Sequence, residues 1–262
     1  MPAVPMINLA TILFHLDMLR QSAWKRRCHP SLEGHRPDIA AIRQHPDFAS
    51  IEQLVGIAEV WAQKSFTNEW FDAGRAAIWQ EQFFHERARI KEVLEVGSYE
   101  GRSTLFMAQL FSGACITCVD SFLGSDEHQK MPGLSSRLEA AFTQNVSELG
   151  ERIIKRKGLS AAVLGQLHAE GRAYDFCYID AGHFHDDVYV DSVLSWELLK
   201  LGGILVWDDY PWDGYQSYFK NVRAAVDRFL DVHVGEYKVL FSGEQVAIRK
   251  LAGTRRQLCP HP

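Results

Sequence analysis

The strongest constraint in this chain is an alternation that begins near residue 90. Apolar runs at 91–96, 114–119, 151–156, 174–179 and 203–208 read as strands. The stretches 102–112, 135–149, 160–170, 186–200 and 215–230 carry helical spacing. Such alternation builds a parallel sheet with helices on both faces. Two last strands, 233–240 and 244–250, have no helix between them, and Ser242-Gly243 supplies a turn. They predict an antiparallel hairpin at one sheet edge. The expected fold is α/β, with a seven-stranded, mostly parallel sheet.

The first of these strands runs into a loop and then a helix, through Val93-Leu94-Glu95-Val96-Gly97-Ser98-Tyr99-Glu100-Gly101-Arg102-Ser103. Such a turn sits at the carboxyl end of a parallel sheet, where open α/β folds bind ligands. Gly97 permits a sharp turn, and Gly101 lets a ligand or the helix approach without a Cβ in the way. The spacing is not the close-glycine pattern that admits a pyrophosphate. With Glu95 before the first glycine, the loop suits a cofactor with a cationic or hydroxylated end and no phosphate. S-adenosylmethionine meets that description. The next strand ends in Asp120, about twenty residues on, where nucleotide-binding folds place the acid that takes ribose hydroxyls.

Two later strands also end in acids: Asp180, followed by Ala181-Gly182-His183, and the pair Asp208-Asp209. Parallel strands bring all three carboxylates to the edge that carries the glycine loop. Clustered, unpaired carboxylates are costly to bury, and a hard divalent cation such as Mg²⁺ (or Mn²⁺) relieves them. Asp208-Asp209 before Tyr210-Pro211 also suits a turn, and Asp180 a helix cap. His183 is placed to accept a hydroxyl proton near neutral pH, or to order its loop through hydrogen bonds.

These segments resemble the class I S-adenosylmethionine-dependent methyltransferases, whose fold is Rossmann-like. The resemblance is strongest to the metal-dependent small-molecule O-methyltransferases of catechol, macrolide-sugar and cephalosporin-pathway type. The Leu-Glu-Val-Gly-Ser-Tyr-Glu-Gly-Arg-Ser run is similar to the catechol enzymes' cofactor loop, and the likeness covers roughly residues 90 to 250. It implies cofactor contacts from Glu95, Gly97, Ser98, Tyr99, Gly101, Ser103, Asp120 and Asp180, with Ser160 near the adenine and Tyr99 near the methionine portion. It implies a metal held by Asp180, Asp208 and Asp209. Asp209 stands where the catechol enzymes carry Asn, and His183 where they carry a basic Lys. The expected reaction is methyl transfer to a hydroxyl of a small diol, phenol or sugar, with His183 as the base.

Residues 1–88 read as a helical extension with Ile51, Leu54, Val55, Ala58 and Trp61 at helical spacing, and a further helix over 68–86. Its aromatic stripes suit core, a homo-oligomer contact or, at Phe66-Thr67-Asn68-Glu69-Trp70, the mouth of the active site. Residues 89–252 form the expected catalytic domain and 253–262 a disordered tail. The net charge of −5 gives no electrostatic case for nucleic acid. Five cysteines suit a reducing compartment, and Cys115 and Cys118 fall on opposite faces of one strand. Val4 to Leu19 contains His15 and Asp17 and is too short to span a bilayer, so a soluble, cytoplasmic protein without membrane contact is expected. The loop from Phe122 to Leu134 is long for its place and suits a lid or a mobile connection. The rival readings are a metal-independent N- or other methyltransferase, a nicotinamide oxidoreductase, which the glycine spacing disfavours, and a non-catalytic cofactor-binding protein.

Overall fold

The computed structural model describes residues 29–37, 57–125 and 133–252. The apolar segment near the N-terminus, the periodic positions 51–55, most of the 122–134 loop and the tail lie outside these residues. The strands are β1 Glu92–Val96, β2 Cys115–Asp120, β3 Ile153–Lys157, β4 Tyr174–Ile179, β5 Leu199–Trp207, β6 Tyr237–Ser242 and β7 Val246–Lys250. They form one sheet in the order β3-β2-β1-β4-β5-β7-β6. β1 to β5 pair in parallel, and β7 runs antiparallel to both β5 and β6. The expected sheet and edge hairpin are present. Strand order reverses between β1 and β4, and ligands bind such folds beyond the strand ends at that reversal.

The helices are α1 Ile57–Ala62, α2 Ala73–Phe83, α3 Arg102–Leu110, α4 Leu134–Asn145, α5 Ser160–Ala169, α6 His185–Leu198 and α7 Val222–Val232. Strand side chains alternate between two cores, as the pleat requires. Phe176 and Tyr178 of β4 pack with Ile57, Trp79, Phe83, Phe106 and Phe142 on one face. Cys177 and Ile179 pack with Leu164, Trp196 and Phe229 on the other. Thus α1 and α2, from the expected extension, share the core of the sheet. Trp79 is fully buried within contact of the Phe71, Phe83, Phe106, Phe176 and Tyr178 rings, and its Nε1–H donates to Gln245 Oε1 at 2.7 Å.

Several boundaries differ from expectation, β5 beginning four residues early at Leu199 and α4 ending four early at Asn145 among them, and three others have local reasons. The helix read over 68–86 forms at Ala73–Phe83, because Asp72 caps it by accepting the Arg75 N–H at 2.9 Å. The helix read over 215–230 starts only at Val222. Before it, the Asn221 side chain accepts from Tyr215 N and donates to the Tyr215 and Ser217 carbonyls, fixing a loop instead. β6 begins at Tyr237 after Gly235 turns the chain at φ +86°. Among the described residues no helix is long and apolar enough to cross a membrane.

Candidate active site

The ends of β1, β4 and β5 are laced together by backbone. Asp180 N–H donates to Val96 O at 2.7 Å, and Asp208 N–H to Ile179 O at 3.0 Å. At Gly97 the backbone has φ +92°, and a Cβ would lie 1.9 Å from the Asp180 carbonyl oxygen. Gly97 therefore lets the glycine loop and the β4 end touch. Gly101, at φ +84°, opens α3, and its missing Cβ faces Phe142 and Val146. Of the two approaches that Gly101 was expected to permit, the structure shows that of a neighbouring helix.

Glu95 is fully buried, with its carboxylate accepting the Ser103 and Thr104 hydroxyls, each at 2.5 Å. Burial raises its pKa, and these hydroxyls offset only part of the effect. Glu95 and Ser103 therefore tie β1 to the first turn of α3, and Glu95 does not line the cleft described below. Asp120 accepts the Tyr99 N–H at 2.8 Å and the Phe122 N–H at 2.6 Å. Tyr99 sits at φ +47°, a conformation that a non-glycine residue adopts at a cost of order 1–3 kcal/mol. The Asp120 bond holds it there. Asp120 stays partly exposed. Ser160, at the start of α5, bonds instead to the buried Asp191 of α6.

A cleft of about 360 Å³, counting the part open to solvent, runs along the glycine loop. Ser98, Tyr99 and Asp180 line it together with Phe66, Asn68 and Trp70. The latter three belong to the segment read as a possible mouth. Three clamps hold that segment down. Glu100 accepts both the N–H and the hydroxyl of Thr67, at 2.6 and 3.0 Å. Asn145 bonds Ser65 through both N–H and C=O and also reaches Glu100 O. The Arg102 guanidinium lies 4.0 Å over the Trp61 ring while its Nε–H donates to Phe71 O.

Beside the cleft, the three strand-end acids meet a cation that the sequence did not signal. Arg75, from the first turn of α2, sets Nε 3.0 and 3.1 Å from the two Asp208 oxygens and Nη2 3.1 Å from Asp209 Oδ1. Tyr178 OH lies 2.6 Å from Asp208 Oδ2 and 2.9 Å from Asp180 Oδ2. Arg75 is thus a protein counter-ion for these acids, which the sequence reading pairs with a divalent cation alone or with turn and cap roles. Burial alone would lower the Arg75 pKa, yet Asp208, Tyr178 and Asp209 raise it above the ordinary guanidinium range. Asp180 is pushed well above the carboxylate range by burial and by Asp208 and Asp209. Burial also raises Asp208, with Arg75 opposing. Asp209 goes down, since His183 and Arg75 outweigh its burial.

The atoms that converge as a metal site are those of Asp180, His183 and Asp209, all within 4.8 Å of one another. His183 Nε2 lies 3.1 Å from Asp209 Oδ2, and the imidazole packs against Trp212 with centroids 4.7 Å apart and the rings tilted by 36°. Asp208, read as a ligand, stands outside this trio because Arg75 and Tyr178 engage it. Two carboxylate oxygens and an imidazole nitrogen can hold a divalent transition metal. The signal for Tyr178 was present in the sequence, two residues before Asp180 on a strand and so on the same face. Arg75 and Trp212 gave none.

Residues 94–210 match the family described as a methyltransferase domain. No curated protein matches the chain in sequence. Among solved structures, an O-methyltransferase from Bacillus cereus in complex with SAH is 18% identical with a TM-score of 0.52, over 79% of this chain and 92% of that one. The O-methyltransferase TomG from Streptomyces achromogenes, involved in tomaymycin synthesis and solved with SAM, is 13% identical with a TM-score of 0.55, over 91% and 96%. The methyltransferase MycE of the mycinamycin biosynthetic pathway, solved with Mg, SAH and mycinamycin VI, is 16% identical with a TM-score of 0.52, over 83% of this chain and 58% of that one. At such identities the likeness establishes a common fold.

Proposed function

We propose that this chain, whose residues 94–210 match a methyltransferase domain, carries the methyl group of S-adenosylmethionine to a hydroxyl of a small diol, phenol or sugar, with help from a divalent cation. The observation that carries the reading is the convergence of Asp180, His183 and Asp209 at a residue, Asp180, that also lines the glycine-loop cleft. The cofactor supplies an electrophilic methyl, and a cation such as Mg²⁺ or Mn²⁺ supplies Lewis acidity toward the acceptor hydroxyl.

The chain's own residues do the rest. Asp120 receives the ribose end, while Ser98 and Tyr99 line the wall beside it. Asp180 and Asp209 hold the cation. Trp70, half exposed and 5.1 Å from the Tyr99 ring, covers the mouth and excludes water from the transfer path. His183 takes the acceptor's proton. Its Nε2 now faces Asp209 Oδ2, so it acts once Asp209 turns that oxygen away, with Trp212 keeping the ring in plane. Positioning supplies much of the rate, because an aligned nucleophile is the main requirement of this displacement.

A second reading is favoured by the same 3.1 Å contact: His183 is itself a ligand, and the hydroxyl ionises without a protein base. Stripping the protein with EDTA and screening acceptors for the mass gain of one methyl tests the proposal. Turnover should stop and return with Mg²⁺ or Mn²⁺. Methyl transfer that ignores the chelator would overturn the metal mechanism and leave the metal-independent rival.

A further inference from the structure

We propose that Arg75 withdraws Asp208 from metal coordination and thereby sets which divalent cation this site prefers. The inference rests on the metal-dependent reading above, in the form that makes His183 a ligand. A carboxylate has about four in-plane acceptor positions. On Asp208 three donors occupy this set, one of them, the Arg75 Nε–H, shared between both oxygens. Oδ1 accepts from Arg75 Nε at 3.0 Å and from Asp209 N at 2.8 Å, and Oδ2 from Arg75 Nε at 3.1 Å and Tyr178 OH at 2.6 Å. A planar, permanently charged fork is the side chain best suited to engage two adjacent carboxylates at once, and Arg75 reaches Asp209 Oδ1 as well. The Arg75 and Asp208 side chains are 17% and 5% exposed, so water does not dilute this contact.

Two consequences follow for a cation. The donors left facing one another are two carboxylates and an imidazole, from Asp180, Asp209 and His183. Mg²⁺ favours oxygen ligands, whereas imidazole suits later, softer divalent metals. The charge is also reduced, since one guanidinium offsets one of three carboxylates. By removing one carboxylate, Arg75 therefore raises the weight of the imidazole among the donors and biases the site toward Mn²⁺ over Mg²⁺. Arg75 belongs to α2, outside the matched family segment, so this selectivity comes from a part of the chain that the family match leaves out.

Calorimetry with MgCl₂ and MnCl₂ alone tests this without any turnover. The wild-type chain should bind Mn²⁺ more tightly than Mg²⁺. In Arg75→Gln, Asp208 is released toward the cation, and Mg²⁺ affinity should rise about tenfold while the Mn²⁺ preference narrows, a size typical of residues that position metal ligands. Arg75→Lys keeps the charge but loses the fork, and should move the same way by less. It also carries the test if the Gln variant fails to give a native circular dichroism spectrum. Metal affinities within about twofold of wild type in the folded variants overturn the role of Arg75 and leave the metal-dependent reading standing. A wild-type chain that binds neither cation overturns both, and Arg75 is then simply the counter-ion of the acids.

Discussion

His183 Nε2 and Asp209 Oδ2 meet at 3.1 Å, on a residue whose backbone has φ +51° and whose other oxygen is held by Arg75. Asp209 is thus held from two sides, and His183 becomes available as a base only when the Oδ2 contact opens while Arg75 keeps Oδ1. His183→Ala should lower kcat by about 10²–10⁴ with S-adenosylhomocysteine binding intact. The deficit should shrink as pH rises, because an acceptor hydroxyl that ionises by itself needs no base. A pH-independent deficit would instead point to His183 as a metal ligand.

Asp120→Ala removes the acceptor of two backbone N–H groups and the ribose candidate together. S-adenosylhomocysteine affinity should fall by about 2 kcal/mol or more, roughly 30-fold in Kd. Calorimetry on the folded variant checks this, and a change below about threefold would remove Asp120 from the cofactor site.

The two loop glycines should respond differently. Gly97→Ala places a Cβ against the Asp180 backbone, which cannot yield, so soluble protein or cofactor binding should be lost. Gly101→Ala meets the Val146 side chain 2.9 Å away and a left-handed φ, costing about 1–2 kcal/mol of stability. Its cofactor affinity should stay close to wild type. Loss of binding in a folded Gly101→Ala protein would show that the ligand, and not the helix, needs that space.

Trp79→Ala should destabilise the fold by roughly 3–5 kcal/mol, since a large ring leaves a cavity among five aromatic neighbours. Chemical denaturation measures it. A loss under about 1 kcal/mol would mean that α2 is not part of the core.

Asp191, almost fully buried on α6, has an Oδ1 with no hydrogen-bond partner, and burial pushes its pKa up to about 7, with Ser160 opposing and Asp187 adding to the shift. A raised acid stabilises the fold fully below its unfolded pKa, near 4, and loses that contribution as pH climbs to about 7. Wild-type stability should therefore decline over that window by an amount on the order of 4 kcal/mol at most. Asp191→Asn should flatten the profile. Parallel wild-type and variant curves between pH 5 and 8 would contradict this.

The sheet was legible in the sequence because its apolar runs end in acids and turns at regular spacing, and β1, β2 and β4 lie within a residue of their expected bounds. The carboxyl-edge acids were legible for the same reason, as topology alone delivers Asp120, Asp180 and Asp208 to one side. What faces them was not. Arg75 sits 133 residues from Asp208, on a helix whose periodicity announces only burial. Ser160 read as a ligand contact because its place at a strand-helix turn is visible, while its bond to Asp191 depends on how two helices pack. Glu95 has the sequence position of a cofactor contact, and only the three-dimensional path of α3 shows its carboxylate spent on Ser103 and Thr104.

The long reach of Arg75 has a consequence for how the molecule is made. On a ribosome that adds roughly 5–20 residues each second, Arg75 emerges about 7–27 s before the acids it will neutralise. The clamp from Asn145 onto Ser65 closes 80 residues after Ser65 has been synthesised. The aromatic-rich stretch from Trp61 to Phe83 must therefore wait, uncovered, for the strands that will receive it. A nascent chain stalled between residues 90 and 140 should be the species most dependent on chaperones, although the finished protein buries that surface.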